Sequence, residues 1–246
     1  MIALLAAISF SQKIFAQTNI QVFYDLGKDR EHVTTTLEGF YNDKWGNTYF
    51  FVDHDFKSDD GNGHTHGPSG TYGEIARCFN FWKNTKLAPL SLHAEYNGGV
   101  YRGYDINNAW LFGVDYFVHS KDFKNTLNLK ALYKTIESTD QEVPMQFTMV
   151  WGMQDLFNVQ GLRFSGFADF WWENHSVYEY KHGAYDFSKQ KTAHTVFISE
   201  PQLWYQVGRH FGVDNLNLGT EIELSYNFGT GKGFWCRPCL GMKWVF

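Results

Sequence analysis

Past its first residues the sequence has no apolar run near the roughly 20 residues that a membrane helix needs, and its mean hydropathy is −0.38. A helical membrane protein is excluded. Cysteine is scarce, with Cys78, Cys236 and Cys239 as the whole set. An odd count builds no complete disulfide framework. Charge of either sign is modest, 21 basic against 26 acidic side chains for a net −5. There is no basic stripe to bind nucleic acid, and no like-charge block of the kind that marks a disordered tail. No nucleotide-binding motif, internal repeat or linker is visible, so the 246 residues read as one domain.

Aromatic residues are abundant, at 19% of the chain. A soluble core cannot readily hide that many rings. A lipid-facing surface can display them, and β-barrels carry aromatic girdles at both membrane interfaces. A barrel needs no long apolar run, because only every second strand residue meets lipid.

Met1 to Ala16 reads as a cleavable signal peptide. Ile2 to Phe10 has the length of an apolar h-region, and Ile14-Phe15-Ala16 ends in a small residue before Gln17. The usual basic residue ahead of the apolar run is missing, and Lys13 lies after it. The mature chain, 17–246, turns at once into a strand pattern.

Period-2 alternation bounded by turn residues predicts twelve strands. They are Ile20–Asp25, Glu31–Asn42, Trp45–Phe56, Thr71–Trp82, Leu90–Asn97, Asn107–His119, Phe123–Glu137, Met145–Asp155, Gly161–Trp172, Thr192–Tyr205, Asn215–Phe228 and Gly233–Phe246. Most reach the roughly 9–11 residues that cross a bilayer as a tilted strand. The alternation is cleanest near the end of the chain. Leu216, Leu218, Thr220, Ile222, Leu224, Tyr226 and Phe228 share one face, opposite Asn217, Gly219, Glu221, Glu223, Ser225 and Asn227. A soluble β-sandwich also alternates. Here the apolar faces are rich in rings and the polar faces carry carboxylates with basic groups between them, as a wet lumen would. The expected fold is therefore all-β, a transmembrane antiparallel barrel of about twelve strands with both termini periplasmic.

Barrels have short periplasmic turns and longer outer loops. Asp43-Lys44 reads as a tight inward hairpin, while residues 57–70, 98–106 and 173–191 read as outer loops, the last being the longest. The chain ends Leu240-Gly241-Met242-Lys243-Trp244-Val245-Phe246, which looks like the signal read by the outer-membrane assembly machinery.

Several segments resemble a known family. They are Arg30-Glu31 through Thr36; Asp43-Lys44-Trp45-Gly46-Asn47-Thr48-Tyr49-Phe50-Phe51-Val52-Asp53; Glu74-Ile75-Ala76-Arg77; His93-Ala94-Glu95-Tyr96-Asn97-Gly98-Gly99; Ile106-Asn107-Asn108-Ala109; Phe164 through Trp171; and Ile198 through Gln202. Together they are similar to the Tsx-type nucleoside-specific channel-forming outer-membrane proteins, in a branch common in Bacteroidetes. The resemblance runs from about residue 20 to the end. It implies a monomeric barrel in the outer membrane of a Gram-negative bacterium that passes nucleosides.

Strand parity gives the expected lumenal residues: Tyr49, Phe51, Asp53, Asp55, His93, Glu95, Asn97, Asp115, Asn128, Lys130, Lys134, Arg163, Asp169, Trp171, Glu221, Glu223, Arg237 and Lys243. Selectivity rings for ions use one sign of charge. A mixed lining with aromatics suits a small, roughly neutral polar solute such as a nucleoside, whose base stacks on ring faces while carboxylates and amides accept from sugar hydroxyls. Charged lumenal pairs can equally be structural, filling a narrow barrel.

No cofactor or metal is expected from the local spacings. In Asp53-His54-Asp55, alternation sets His54 opposite the two acids. Asp59, Asp60, His64 and His66 read as a solvated outer loop, and Cys236 and Cys239 point to opposite faces of a strand. Two other functions compete with a passive channel. One is a barrel-embedded lipid-modifying enzyme using His93 or His119, for which no Ser–His–acid set shares a face. The other is a plugged structural or adhesive barrel, with residues 173–191 folding inward or binding a partner. The expected partners are a small polar solute, outer-membrane lipids and the assembly machinery at Phe246, with no nucleic acid.

Overall fold

The computed structural model describes residues 16–57, 67–102 and 104–246. Twelve strands run as an antiparallel meander: β1 Ala16–Asp25, β2 Val33–Asn42, β3 Gly46–Phe56, β4 Gly70–Phe79, β5 Leu90–Tyr101, β6 Tyr104–His119, β7 Asn125–Ile136, β8 Met145–Gln154, β9 Leu162–Lys181, β10 in two segments (Ala184–Ser199 and Gln202–Tyr205), β11 Leu216–Tyr226 and β12 Phe234–Val245. Each strand pairs with its neighbours in sequence, and β12 returns to β1, with Asn19 opposite Val245 and Asp25 opposite Cys239. The sheet is closed, so no strand edge is left to be hydrogen-bonded by a solvent that cannot do so. Among the described residues the only helical pieces are 3-10 turns at Leu156–Asn158 and Val207–Phe211.

The register puts the start of β1 and the end of β12 at one end of the barrel, called here the near end. The near-end turns include the tight β2–β3 connection, where Asp43 accepts from the backbone N–H of Trp45 at 2.7 Å and of Gly46 at 3.0 Å. Both oxygens of Asp43 also accept from Arg77 of β4 at 2.9 Å. These bonds to the charged form hold the Asp43 carboxyl at about 2.

Alternation sorts the side chains as period 2 demands. Ile75, Trp110, Phe112, Tyr133, Phe147, Leu218 and Leu240 stand outward, each about half exposed, and form an apolar belt. Gln21, His93, Asp115, Lys134, Glu223 and Arg237 stand inward and are almost fully buried. Polar side chains inside and apolar ones outside is the inverse of a soluble sandwich. A charge on the belt should therefore be penalised. Phe112→Arg, at mid-strand, is expected to destabilise the barrel by about 2–4 kcal/mol, read from reversible unfolding in lipid vesicles. A change near zero would mean that this face does not meet hydrocarbon.

Two outer-loop expectations are corrected. Residues 173–191 are not a long loop. β9 and β10 continue past the belt as a paired hairpin, with Tyr180 opposite Tyr185 and Lys181 opposite Ala184. The tip is His182-Gly183, with φ of 52° and 83°, as a two-residue hairpin turn requires. Residues 98–106 are likewise mostly strand, since β5 runs to Tyr101 and β6 begins at Tyr104. The expected strand Thr192–Tyr205 is interrupted at Glu200-Pro201, because proline has no N–H for the ladder. There the Glu200 N–H donates to the Phe167 carbonyl at 3.1 Å, and the Pro201 carbonyl accepts from Ile222 at 3.1 Å. Gly166 sits against this break, where a Cβ would come within 2.5 Å of the Glu200 carbonyl oxygen. The segment expected to be a signal peptide, up to residue 15, and Asp59, Asp60, His64 and His66 lie outside the described residues, whereas Ala16 opens β1.

Candidate functional site: the barrel lumen

The inner wall is built from alternate residues of all twelve strands, and every lumenal residue expected from parity belongs to an inward-facing row. On β1–β3, Glu38 accepts from Asn19 at 3.0 Å, from Gln21 at 3.3 Å and from Tyr49 at 3.4 Å. The Thr36 hydroxyl donates to Asp53 at 2.5 Å. Phe51 lies between Tyr49 and Tyr72, its ring centroid 6.2 and 6.0 Å from theirs. Tyr72 donates to Glu74 at 2.7 Å. On the closing strands, Gln202 donates to Glu221 at 2.5 Å and accepts from the Trp204 indole at 2.8 Å. The Lys243 ammonium sits 4.1 Å from the Trp204 ring centroid.

Across the barrel, the Lys134 ammonium donates to Gln146 at 2.7 Å and lies 3.9 Å from the Trp171 ring centroid. The Trp171 indole donates to Glu173 at 2.7 Å. Asp169 is paired in register with Thr148, and Asn97 is buried on β5. Arg163 is exposed at the near mouth, where it donates to Gln154 at 3.5 Å. Lower on β4–β7, His93 Nε2 meets Glu95 at 2.7 Å and His93 Nδ1 meets the Cys78 sulfur at 3.3 Å. Asn128 donates to Asp115 at 2.7 Å, and Lys130 is opposite Asp115 in register.

The far mouth carries a second arrangement. Residues 26–32, between β1 and β2, are held to the lumen wall and to the β9–β10 hairpin. Both oxygens of Asp29 accept from Arg237, at 3.0 and 2.9 Å, and Tyr185 donates to Asp29 at 2.6 Å. Burial pushes the Asp29 carboxyl up, but the Arg237 and Tyr185 hydrogen bonds outweigh it and hold it at about 2. Arg30 reaches Asp25 at 3.2 Å and also binds Glu223, which Arg237 shares. The Tyr180 hydroxyl donates to the Lys28 carbonyl at 2.7 Å, and the Lys28 ammonium lies 4.8 Å from the Trp235 ring centroid. Asp55 lies below, taking hydrogen bonds from Thr34 and Tyr101.

Parity alone left out Asp25, Asp29, Arg30, Glu38, Glu74 and Cys78. Glu38 on β2, and Glu74 and Cys78 on β4, lie on inward faces of strands from which the expected set takes no residue, although their own alternation carries the signal. Asp29 and Arg30 sit in a connection, which has no parity to read. The two histidines considered for lipid chemistry do not meet lipid with a nucleophile. His93 is inside the lumen, and His119 at the near end stacks on Phe123, 3.7 Å between ring centroids.

A family model described as a domain of unknown function (DUF5020) matches residues 16–246. The chain belongs to the DUF5020 family. Among solved structures, the DUF5020 barrel is similar to the NanC porin, at 8% identity over 93% of this chain and 98% of that one, with a TM-score of 0.53. It is also similar to a BenF-like porin from Pseudomonas fluorescens Pf-5, at 9% identity over 96% of this chain and 99% of that one, with a TM-score of 0.41. A third is the Salmonella typhi outer membrane phospholipase, at 12% identity over 96% and 92%, with a TM-score of 0.49. No curated protein sequence matches the chain. At these identities the likeness is one of fold, and function has to be argued from the lumen itself.

Proposed function

We propose that the DUF5020 barrel is an outer-membrane passive diffusion channel whose lumen holds small, roughly neutral polar solutes of the nucleoside type. The observation that carries this is the composition of the inner wall. Carboxylates at Glu38, Asp53 and Glu221 stand beside ring faces at Tyr49, Phe51, Tyr72 and Trp204, with Lys134, Lys243 and Arg163 on the same wall. No single sign dominates, so the wall is poorly suited to selecting ions. Ring faces stack on any base, and carboxylates accept from ribose hydroxyls. The resemblance to Tsx-type channels supports the same reading. With no nucleotide-binding motif in the chain, flux follows the gradient. The barrel would sit as a monomer with both termini in the periplasm, its apolar belt against lipid and its last strand read by the assembly machinery.

Proteoliposomes test the solute class. Uptake of a nucleoside is expected to exceed that of a sugar of equal size, and the combined Asp53→Asn, Glu221→Gln variant should narrow the difference. Equal uptake of the two solutes by the wild type would remove the nucleoside assignment and leave a general channel.

The segment at residues 26–32 favours a second reading, a barrel capped at its far mouth. The two readings differ in whether that segment opens.

A further inference from the structure

Cys78, His93 and Asp115 come from three adjacent strands and lie near the near-end mouth of the lumen. Cys78 is directly opposite His93 in the β4–β5 register, and Asp115 is opposite Ser91, two residues along β5 from His93. All three side chains are buried. Their donor atoms lie within 4.8 Å of one another, with the cysteine sulfur 3.3 Å from His93 Nδ1 and 3.4 Å from Asp115 Oδ2. In a tetrahedral zinc site, the usual metal–sulfur, metal–nitrogen and metal–oxygen lengths put neighbouring ligand atoms about 3.3–3.6 Å apart. The two distances from the sulfur therefore match the spacing that a shared ion would impose, and the imidazole and carboxylate atoms lie within 4.8 Å of each other.

The surroundings point the same way. A metal-bound histidine characteristically gives its other ring N–H to a carboxylate, which fixes the tautomer. His93 Nε2 is 2.7 Å from Glu95, which leaves the Nδ1 lone pair directed at Cys78. Asp115 is held in a similar way, its Oδ1 accepting from Asn128 at 2.7 Å and its Oδ2 facing the sulfur. Each of these two ligands thus has one atom anchored and one atom presented to a common point. Cys78 forms no disulfide. A thiolate, an imidazole and a carboxylate together suit Zn2+ better than Mg2+ or Ca2+, which prefer all-oxygen shells.

We propose that Cys78, His93 and Asp115 form a transition-metal site in the lumen, fitted to Zn2+ with three protein ligands and a position left for water or a solute. Local spacing could not reveal it, because the ligands are 15 and 22 residues apart in the chain and only the barrel register brings them together.

The test uses the refolded full barrel titrated with Co2+ as a spectroscopic stand-in for Zn2+. The expected result is one ion per chain, an intense near-ultraviolet thiolate-to-cobalt band, and loss of both signals when Zn2+ is added. Cys78→Ser should abolish the band, and Glu95→Gln should weaken Zn2+ affinity about 10–100-fold. His54→Ala should change neither. Heat-shifted migration on a gel confirms that each variant is a folded barrel. Absence of a thiolate band in the folded wild type would overturn the proposal without reference to any variant. Binding that survives both Cys78→Ser and His93→Ala would overturn it as well.

Discussion

Replacing Arg237 by alanine is expected to destabilise the barrel by about 3–5 kcal/mol, as removal of one partner from a buried ion network does. The Arg237 side chain is 3% exposed and is the hub of the far mouth. It donates to Glu223 on β11, to both oxygens of Asp29 in the β1–β2 connection and to Ser225, and its guanidinium lies 4.5 Å from the Trp235 ring centroid. Without it, among the described residues Asp29 keeps the Tyr185 hydroxyl, and Glu223 keeps Arg30 and Ser225. Arg237→Lys should recover only part of the loss, since an ammonium cannot serve two carboxylates with a planar fork. The triple variant Arg237→Met, Glu223→Gln, Asp29→Asn should be milder than Arg237→Ala, because it removes the charges together and strands none. Denaturant unfolding in lipid vesicles measures all three. A loss below about 1 kcal/mol for Arg237→Ala is the behaviour of a solvated surface pair, and would mean that the mouth is wet and the network incidental.

Much of this arrangement was legible in the sequence. Inside the membrane belt every strand must show apolar residues to lipid at alternate positions, so period 2 is enforced and parity sorts the two faces. That is why Glu221 and Glu223, or His93 and Glu95, could be placed on the inner wall from the chain alone. Beyond the belt the constraint disappears. The β9–β10 extension contains Glu173, Asn174, His175, Ser188, Lys189 and Gln190, polar residues that follow no face, so it reads as a loop although it is a hairpin. The β1–β2 connection was opaque for a different reason. Asp29 and Arg30 gain their meaning from Arg237 and Glu223, about 200 residues away, and only closure of β12 onto β1 brings these together. Cys78, His93 and Asp115, each unremarkable on its own strand, meet through the register of β4, β5 and β6 instead.

Shortening the β1–β2 connection is expected to raise single-channel conductance severalfold. Residues 28–31 include side chains held to the inner wall at the far mouth, and replacing them with a two-residue glycine turn removes Asp29 and Arg30 from that wall while leaving the strands paired. Acid should act on the same latch, and its direction follows from Asp29. The Asp29 carboxyl is held at about 2, below its ordinary 3.8. Its contribution to closure is therefore fully present above pH 3.8 and is lost as the pH falls through about 2. The latch's own effect on conductance should therefore appear only below about pH 4, as a rise that the shortened variant lacks. A shortened variant that conducts no better than wild type would show that residues 26–32 do not limit the pore.

Single-channel recording of the refolded barrel in a planar bilayer, with and without added nucleoside, tests the central claim most directly. The account predicts small current steps that a nucleoside reduces and a sugar of equal size does not. A barrel that inserts, shows its heat-shifted folded form, and stays silent both as wild type and with the β1–β2 connection shortened would contradict the channel function.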